Sequence, residues 1–203
     1  ADAQDSLHNA DKAKAELEKA KSELQSQGVQ FPIHIDYVVD QSSNALVQQA
    51  DSMKSSIETA LGKDNVVIDV QKLSTDDADN ATYFAQSPDQ KDFDMDITGW
   101  GPDFQDPSTY LDILNPTDGS TLTGMGLDPK KDQALIEKVG LNQYKELLDA
   151  ANAEKLDTNA RYEKYAAAQA WLTENAIVLP IYSKGGVPSI TKVTPFSGAR
   201  SSI

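Results

Sequence analysis

The order of helical and strand-like segments is the feature of this sequence that most restricts its fold. Residues 12–27 and 45–61 have the apolar spacing of amphipathic helices, and a glycine follows each segment where a helix is expected to end. Apolar residues alternate with polar ones over 31–39 and 93–100, and 66–70 is a short, mostly apolar run, so all three segments predict strands. Such alternation of helices and strands favours an α/β fold with a mostly parallel central sheet and helices on both faces.

The rest of the chain is predicted to be mainly helical. The predicted helices cover residues 76–85, 108–114, 131–140, 144–153 and 159–175. A stretch rich in Pro, Thr, Asp and Gly at 117–129 predicts a long loop, and the apolar run 177–182 predicts a final strand. No composition shift marks a domain boundary.

Charge and length exclude several classes of protein. The 203 residues include 18 Lys plus Arg and 32 Asp plus Glu, which gives a net charge of −14. Binding of nucleic acid or of an anionic membrane surface needs a concentrated basic face, so neither is an expected partner. No apolar run approaches the length of a membrane span, and the first residues lack the pattern of a signal peptide. We therefore expect either an intracellular protein or a part of something longer.

Residues that typically perform catalysis or bind metals are scarce. The chain has no cysteine, and His8 and His34 are its only histidines, neither near a nucleophile motif. Asp92, Asp94 and Asp96 recur at every second residue, but the spacing does not match a calcium-binding loop. We therefore expect no enzyme, no catalytic residues, no metal site and no cofactor, although a hydrolase built on a pair of acids stays open because 32 acids offer many pairs.

One loop, 99–107, combines residues suited to ligand binding. It follows a predicted strand, and loops at the carboxyl ends of strands in α/β sheets commonly bind ligands. Trp100 supplies apolar area and Asp103 a charge, a combination that suits an organic cation or amine. The alternative is purely structural, with Trp100 covering the core and Asp106-Pro107 forming a turn that starts a helix.

Two segments resemble one family of proteins. The first segment, 93–111, carries Gly99, Trp100, Asp103, Phe104, Asp106, Pro107 and Leu111. The second is the predicted helix 161–172 with the apolar stretch 176–182 that follows. Both resemble the extracellular solute-binding proteins of the peptide and nickel class, which are receptor subunits of oligopeptide and dipeptide ABC transporters. In its composition, which is rich in Lys and Asp with Thr and Ser, the sequence is most similar to streptococcal oligopeptide-binding lipoproteins.

The resemblance implies a fold, partners and a location. It implies that residues 1–203 form a lobe of the type II periplasmic-binding-protein class, namely the C-terminal ligand-binding lobe of a two-lobe receptor. It also implies a monomer that binds an oligopeptide, requires no cofactor and delivers its ligand to an ABC permease. The parent protein would be extracytoplasmic and anchored to the membrane of a Gram-positive cell as a lipoprotein.

The resemblance also assigns three ligand-binding residues. In the enteric oligopeptide-binding relatives, the aspartate three residues after this tryptophan holds the α-amino group of the peptide, and that position is Asp103 here. Trp100 and Gly101 would flank the pocket for the first side chain. Two alternatives stay open: a surface interaction or adhesion domain without a transport role, and a relative that binds nickel, haem or dipeptides.

Overall fold

Residues 9–183 are described by a computed structural model of the chain. The chain folds into two compact units, one extending through Thr98 and the other beginning at Gly99. Each unit has an apolar core of its own.

The first unit contains helices and two strands in alternation. In chain order they are α1 (Ala10–Ser26), β1 (Ile33–Asp40), α2 (Asn44–Leu61), β2 (Val66–Leu73) and α3 (Thr75–Ala81), with a 3-10 turn at Pro88–Gln90. Side-chain caps fix the helix starts: Asn9 accepts from the amide of Lys12 at 2.8 Å, and Ser43 and Ser74 cap α2 and α3 in the same way.

The two strands form a parallel pair. Ile33 lies opposite Val66, and the register continues to Asp40 opposite Leu73. Tyr37, Val38 and Val39 are all buried, and since successive side chains point to opposite faces, both faces of β1 are covered here. The α/β class and the parallel sheet are therefore confirmed.

The predicted third strand over 93–100 is wrong over most of its length. Only Met95 forms a bridge, parallel to Tyr37. The carboxylate of Asp94 accepts the amide of Asp36 at 2.9 Å, so a side chain takes the place of a backbone partner there. The ladder ends after this bridge, and Asp has low strand propensity in any case.

The second unit is helical within the described residues. It contains α4 (Ser108–Leu111), which continues as a 3-10 turn (Asp112–Leu114), then α5 (Ser120–Gly124), α6 (Gln133–Lys138), α7 (Leu141–Ala153) and α8 (Thr158–Glu174). Helices α7 and α8 pack against each other. The rings of Tyr144 and Trp171 lie 5.9 Å apart in the core between them, and the hydroxyl of Tyr144 donates to the carbonyl of Leu111 at 2.7 Å.

Two further predictions in this unit need correction. The predicted loop 117–129 contains α5, because Gly119 allows a tight turn: a Cβ there would lie 2.5 Å from the carbonyl oxygen of Ile113. This turn leads into a helix that buries Leu122 completely. The predicted final strand over 177–182 is not formed, since a strand requires a hydrogen-bonded neighbour and the described residues provide none there.

The helices were predicted more accurately than the strands. The observed α1, α2, α7 and α8 begin and end within a few residues of the predicted bounds. Over residues 9–183, none of the helices has both the length and the apolar character that crossing a bilayer requires.

Candidate ligand-binding loop

The segment 99–107 is an irregular, largely exposed loop at the start of the second unit. It follows a stretch that makes one bridge at Met95 rather than the strand predicted from the sequence. Trp100 is 43% exposed and Phe104 is 52% exposed. Within the described part of the chain, Trp100 belongs to neither apolar core, so its indole lies at the surface.

Asp103 is held through its backbone and leaves its carboxylate exposed. Its amide donates to the hydroxyl of Thr109 at 3.1 Å, and Thr109, in α4, is only 5% exposed. Over residues 9–183, the carboxylate of Asp103 makes no hydrogen bond or ion pair. The acid is therefore fixed at its main chain while its charge faces solvent.

Gly101 is not required by the local packing. A Cβ built on this residue would meet no described atom within 4 Å, and its φ is not in the left-handed region. Neither backbone conformation nor crowding by the protein therefore explains a glycine here. The absence of a side chain leaves open space beside Trp100.

Asp106 is fully engaged with the protein, unlike Asp103. Its Oδ1 accepts the amide of Ser108 at 3.0 Å, which starts α4 as the sequence predicted. Its two oxygens also bind Arg161 of α8, with Nη1 donating to Oδ2 at 2.5 Å and Nη2 to Oδ1 at 2.8 Å. The hydrogen bonds from Arg161 hold the pKa of Asp106 well below its usual range, and the same contact raises the pKa of Arg161.

Arg161 is itself held in place by a chain of hydrogen bonds. Its Nη2 donates to the hydroxyl of Tyr165 at 2.8 Å, and the guanidinium lies 4.8 Å from the centre of that ring. The same hydroxyl donates to Asn152 of α7 at 2.6 Å, and Asn152 donates to Asp112 at 3.1 Å. The loop is thus connected to both long helices of its unit.

Sequence reasoning identified Trp100, Gly101 and Asp103 but did not identify Arg161 or Thr109 as their supports. The structure places the three predicted residues on one loop, without a hydrogen bond between their side chains in the described region. One signal for Arg161 was available. It is one of two arginines in the chain and lies near the N-terminus of α8, where the helix dipole disfavours a positive charge unless an acid compensates it.

Acidic and histidine side chains do not converge into a metal site within residues 9–183. No group of three or more such side chains able to hold a metal ion occurs within the described residues. His34 contacts Asp69 at 2.6 Å, and both side chains are exposed. His8 lies outside the described residues.

Solved structures with the same fold are described as peptide-binding proteins. One, a peptide-binding protein of a peptide ABC transporter, has a TM-score of 0.57 at 23% identity and aligns over 83% of this chain and 63% of its own. Another is OppA of Listeria monocytogenes bound to peptide, with a TM-score of 0.53 at 20% identity over 81% of this chain and 26% of its own. At these identities the comparison establishes the fold.

Curated relatives match at much higher identity. The chain is 53% identical over 97% of its length to the oligopeptide-binding protein SarA of Streptococcus gordonii. It is 52% identical over 97% of its length to AliA and 48% identical over 98% to AmiA, both oligopeptide-binding proteins of Streptococcus pneumoniae. These relatives are named as binding proteins rather than enzymes. The chain spans about 30% of the length of each.

One family of bacterial proteins matches the larger part of the chain. Residues 1–121 match the family described as bacterial extracellular solute-binding proteins, family 5 middle. This match agrees with the α/β fold and with the solved structures and curated relatives described above. The chain therefore belongs to the family 5 extracellular solute-binding proteins of bacteria.

Proposed function

We propose that this chain is one lobe of the peptide cleft in an oligopeptide-binding receptor of an ABC importer. In this proposal residues 1–203 form the C-terminal ligand-binding lobe of a longer, two-lobe protein, called the full-length protein below. That protein binds oligopeptides outside the cytoplasm as a monomer and passes them to a permease. We also propose that it is anchored to a Gram-positive cell membrane as a lipoprotein.

The contrast between the two loop aspartates is the observation that carries this proposal. Asp106 has both oxygens occupied by Arg161, whereas the carboxylate of Asp103 has no partner within residues 9–183. A fixed backbone with an unengaged carboxylate suits capture of a cation, and the free α-ammonium group is the cation of every unmodified peptide. We assign this role to Asp103.

Trp100 and Gly101 supply the apolar part of the proposed site. The exposed indole of Trp100 offers a broad apolar face for the first side chain of the peptide. The space beside Gly101 lets the peptide main chain approach the loop closely. An amine-binding carboxylate next to an apolar pocket selects the start of a peptide and discriminates weakly among side chains.

Calorimetric titration of the full-length protein tests this function directly. The probes are short peptides of graded length, a dipeptide, nickel ion and haem, each added separately to the ligand-free protein. We expect saturable binding of the longer peptides and little binding of the other probes. Saturable binding of nickel or haem alone would contradict the proposal, and no binding of any probe would favour a surface interaction domain without a transport role.

A further inference from the structure

The proposed ligand loop is attached to the rest of the second unit at two points, the backbone of Asp103 and the side chain of Asp106. The amide of Asp103 donates to Thr109, which is buried in α4. Three residues further along, the carboxylate of Asp106 is bound by Arg161 of α8. A loop fixed at two nearby points loses much of its conformational freedom before any ligand arrives.

The contact between Arg161 and Asp106 has the geometry of a positioning contact. Two parallel hydrogen bonds join the planar guanidinium to both carboxylate oxygens, which fixes direction as well as distance. The side chains are only 21% and 24% exposed, so solvent screens the pair less than a surface ion pair. A lysine would keep the charge at this site and lose the paired geometry.

Arg161 also connects the loop to rigid parts of the fold. Tyr165, which accepts from its guanidinium, is 2% exposed and belongs to the core of the second unit. Asn152 of α7 continues the network to Asp112, at the end of α4. The orientation of the loop is thus set by the helices that pack into the core.

We propose that Arg161, acting through Asp106, is a positioning residue that holds the loop in the form in which Asp103 and Trp100 bind the peptide. The inference rests on the proposed function for its binding consequence, while the order of the loop can be measured without ligand. Neither Arg161 nor Asp106 contacts the peptide in this account. Their effect on affinity is indirect.

The first experiment measures loop order in the ligand-free chain. Fluorine NMR of the chain labelled with fluorotryptophan observes Trp100 on the loop and Trp171 in the core as separate probes. Arg161→Lys and Asp106→Asn should shift or broaden the Trp100 resonance and leave that of Trp171 nearly unchanged. Lys164→Gln is the matched control, because Lys164 lies on the same helix as Arg161 but pairs at 2.9 Å with Glu154, at the end of α7, and not with a residue of the loop.

The second experiment measures the binding consequence in the full-length protein. We expect Arg161→Lys to weaken a peptide with a free amino terminus by about tenfold, since misdirecting one charge-assisted contact typically costs on that order. An N-acetylated peptide of the same sequence should be affected much less. Lys164→Gln should leave both affinities within about twofold of the wild type, because Lys164 pairs with Glu154 and not with a residue of the loop.

The outcomes separate this inference from the proposed function. If the wild-type protein prefers the free amine and Arg161→Lys keeps the full preference, the positioning role is rejected while the amine-binding role of Asp103 stands. If the wild type does not prefer the free amine, the role of Asp103 is rejected and the NMR result alone decides whether Arg161 orders the loop. An unchanged Trp100 resonance in both variants, or an equal change in Lys164→Gln, would also overturn the inference.

Discussion

Glu58 of α2 accepts the backbone amide of Ile68 in β2 at 3.1 Å. Lys54, one turn earlier in the same helix, donates to the carbonyl of Ile68 and also binds Glu58 at 2.6 Å. The amide and the carbonyl of Ile68 both bond to side chains of α2. These two backbone groups therefore point away from β1, towards the outer edge of the β1–β2 strand pair. An ion pair therefore covers one position of a strand edge that would otherwise present unpaired backbone groups.

We expect Glu58→Gln to lower the melting temperature of the chain at neutral pH and much less in acid. Hydrogen bonding to Lys54 is the main cause that lowers the pKa of Glu58 from 4.5 to about 2. Because the folded pKa lies below the unfolded one, this stabilisation is complete above about pH 4.5 and is lost as the pH falls towards 2. Circular dichroism melts of both proteins across this range measure the difference.

Asp51→Asn is the control for this pH effect. Asp51 pairs with Lys72 on the surface, where both side chains are about half exposed, so its loss should change stability little at any pH. A difference between the wild type and Glu58→Gln that stayed constant from neutral to acid pH would contradict the assignment.

Two glycine substitutions distinguish a role in ligand binding from a role in folding stability. Gly101→Ala should leave stability unchanged or raise it by at most about 1 kcal/mol, because a Cβ meets no described atom there. It should weaken peptide binding by the full-length protein about tenfold, since crowding a close contact costs roughly 1–3 kcal/mol. Denaturant titration and calorimetry measure the two effects.

Gly119→Ala should show the opposite behaviour. A Cβ at this position would lie 2.5 Å from the carbonyl of Ile113, so the variant should lose roughly 1–3 kcal/mol of stability. If Gly101→Ala destabilised the protein as much as Gly119→Ala, Gly101 would have a structural role rather than a role in binding.

Local signals explain which elements the sequence could predict. Helices such as α2 depend on apolar spacing and on a cap at Ser43, all within one segment, and they were predicted closely. The third strand failed because the Asp94 side chain takes the amide of Asp36, 58 residues away in the chain. Arg161 was missed as a support of the loop for the same reason, since its partner lies 55 residues earlier.

The chain should fold on its own as a monomer. Each unit has a core of fully buried side chains, centred on Ile68 in the first and on Tyr144 and Leu148 in the second. Cores of this kind normally unfold cooperatively. We expect a helical circular dichroism spectrum with a cooperative thermal transition and a monomeric mass in solution, and a gradual loss of signal without a transition would contradict this.

Peptides should bind the isolated chain far more weakly than the full-length protein. In the proposed receptor the ligand is enclosed between two lobes, so one lobe alone loses the contacts of the other and leaves the peptide backbone in water. Calorimetry with the same peptide on both proteins measures the difference. Submicromolar affinity of the isolated chain would contradict the two-lobe account.

The most direct test of the account is binding of a matched pair of peptides, free and N-acetylated, to the full-length protein and to its Asp103→Ala variant. Removing one partner of a desolvated charge pair costs roughly 2–5 kcal/mol, so the variant should bind the free peptide about 30-fold or more weakly. The acetylated peptide should bind the wild type poorly and respond little to the substitution. Equal affinity of the wild type for both peptides would contradict the assignment of Asp103 to the amino terminus.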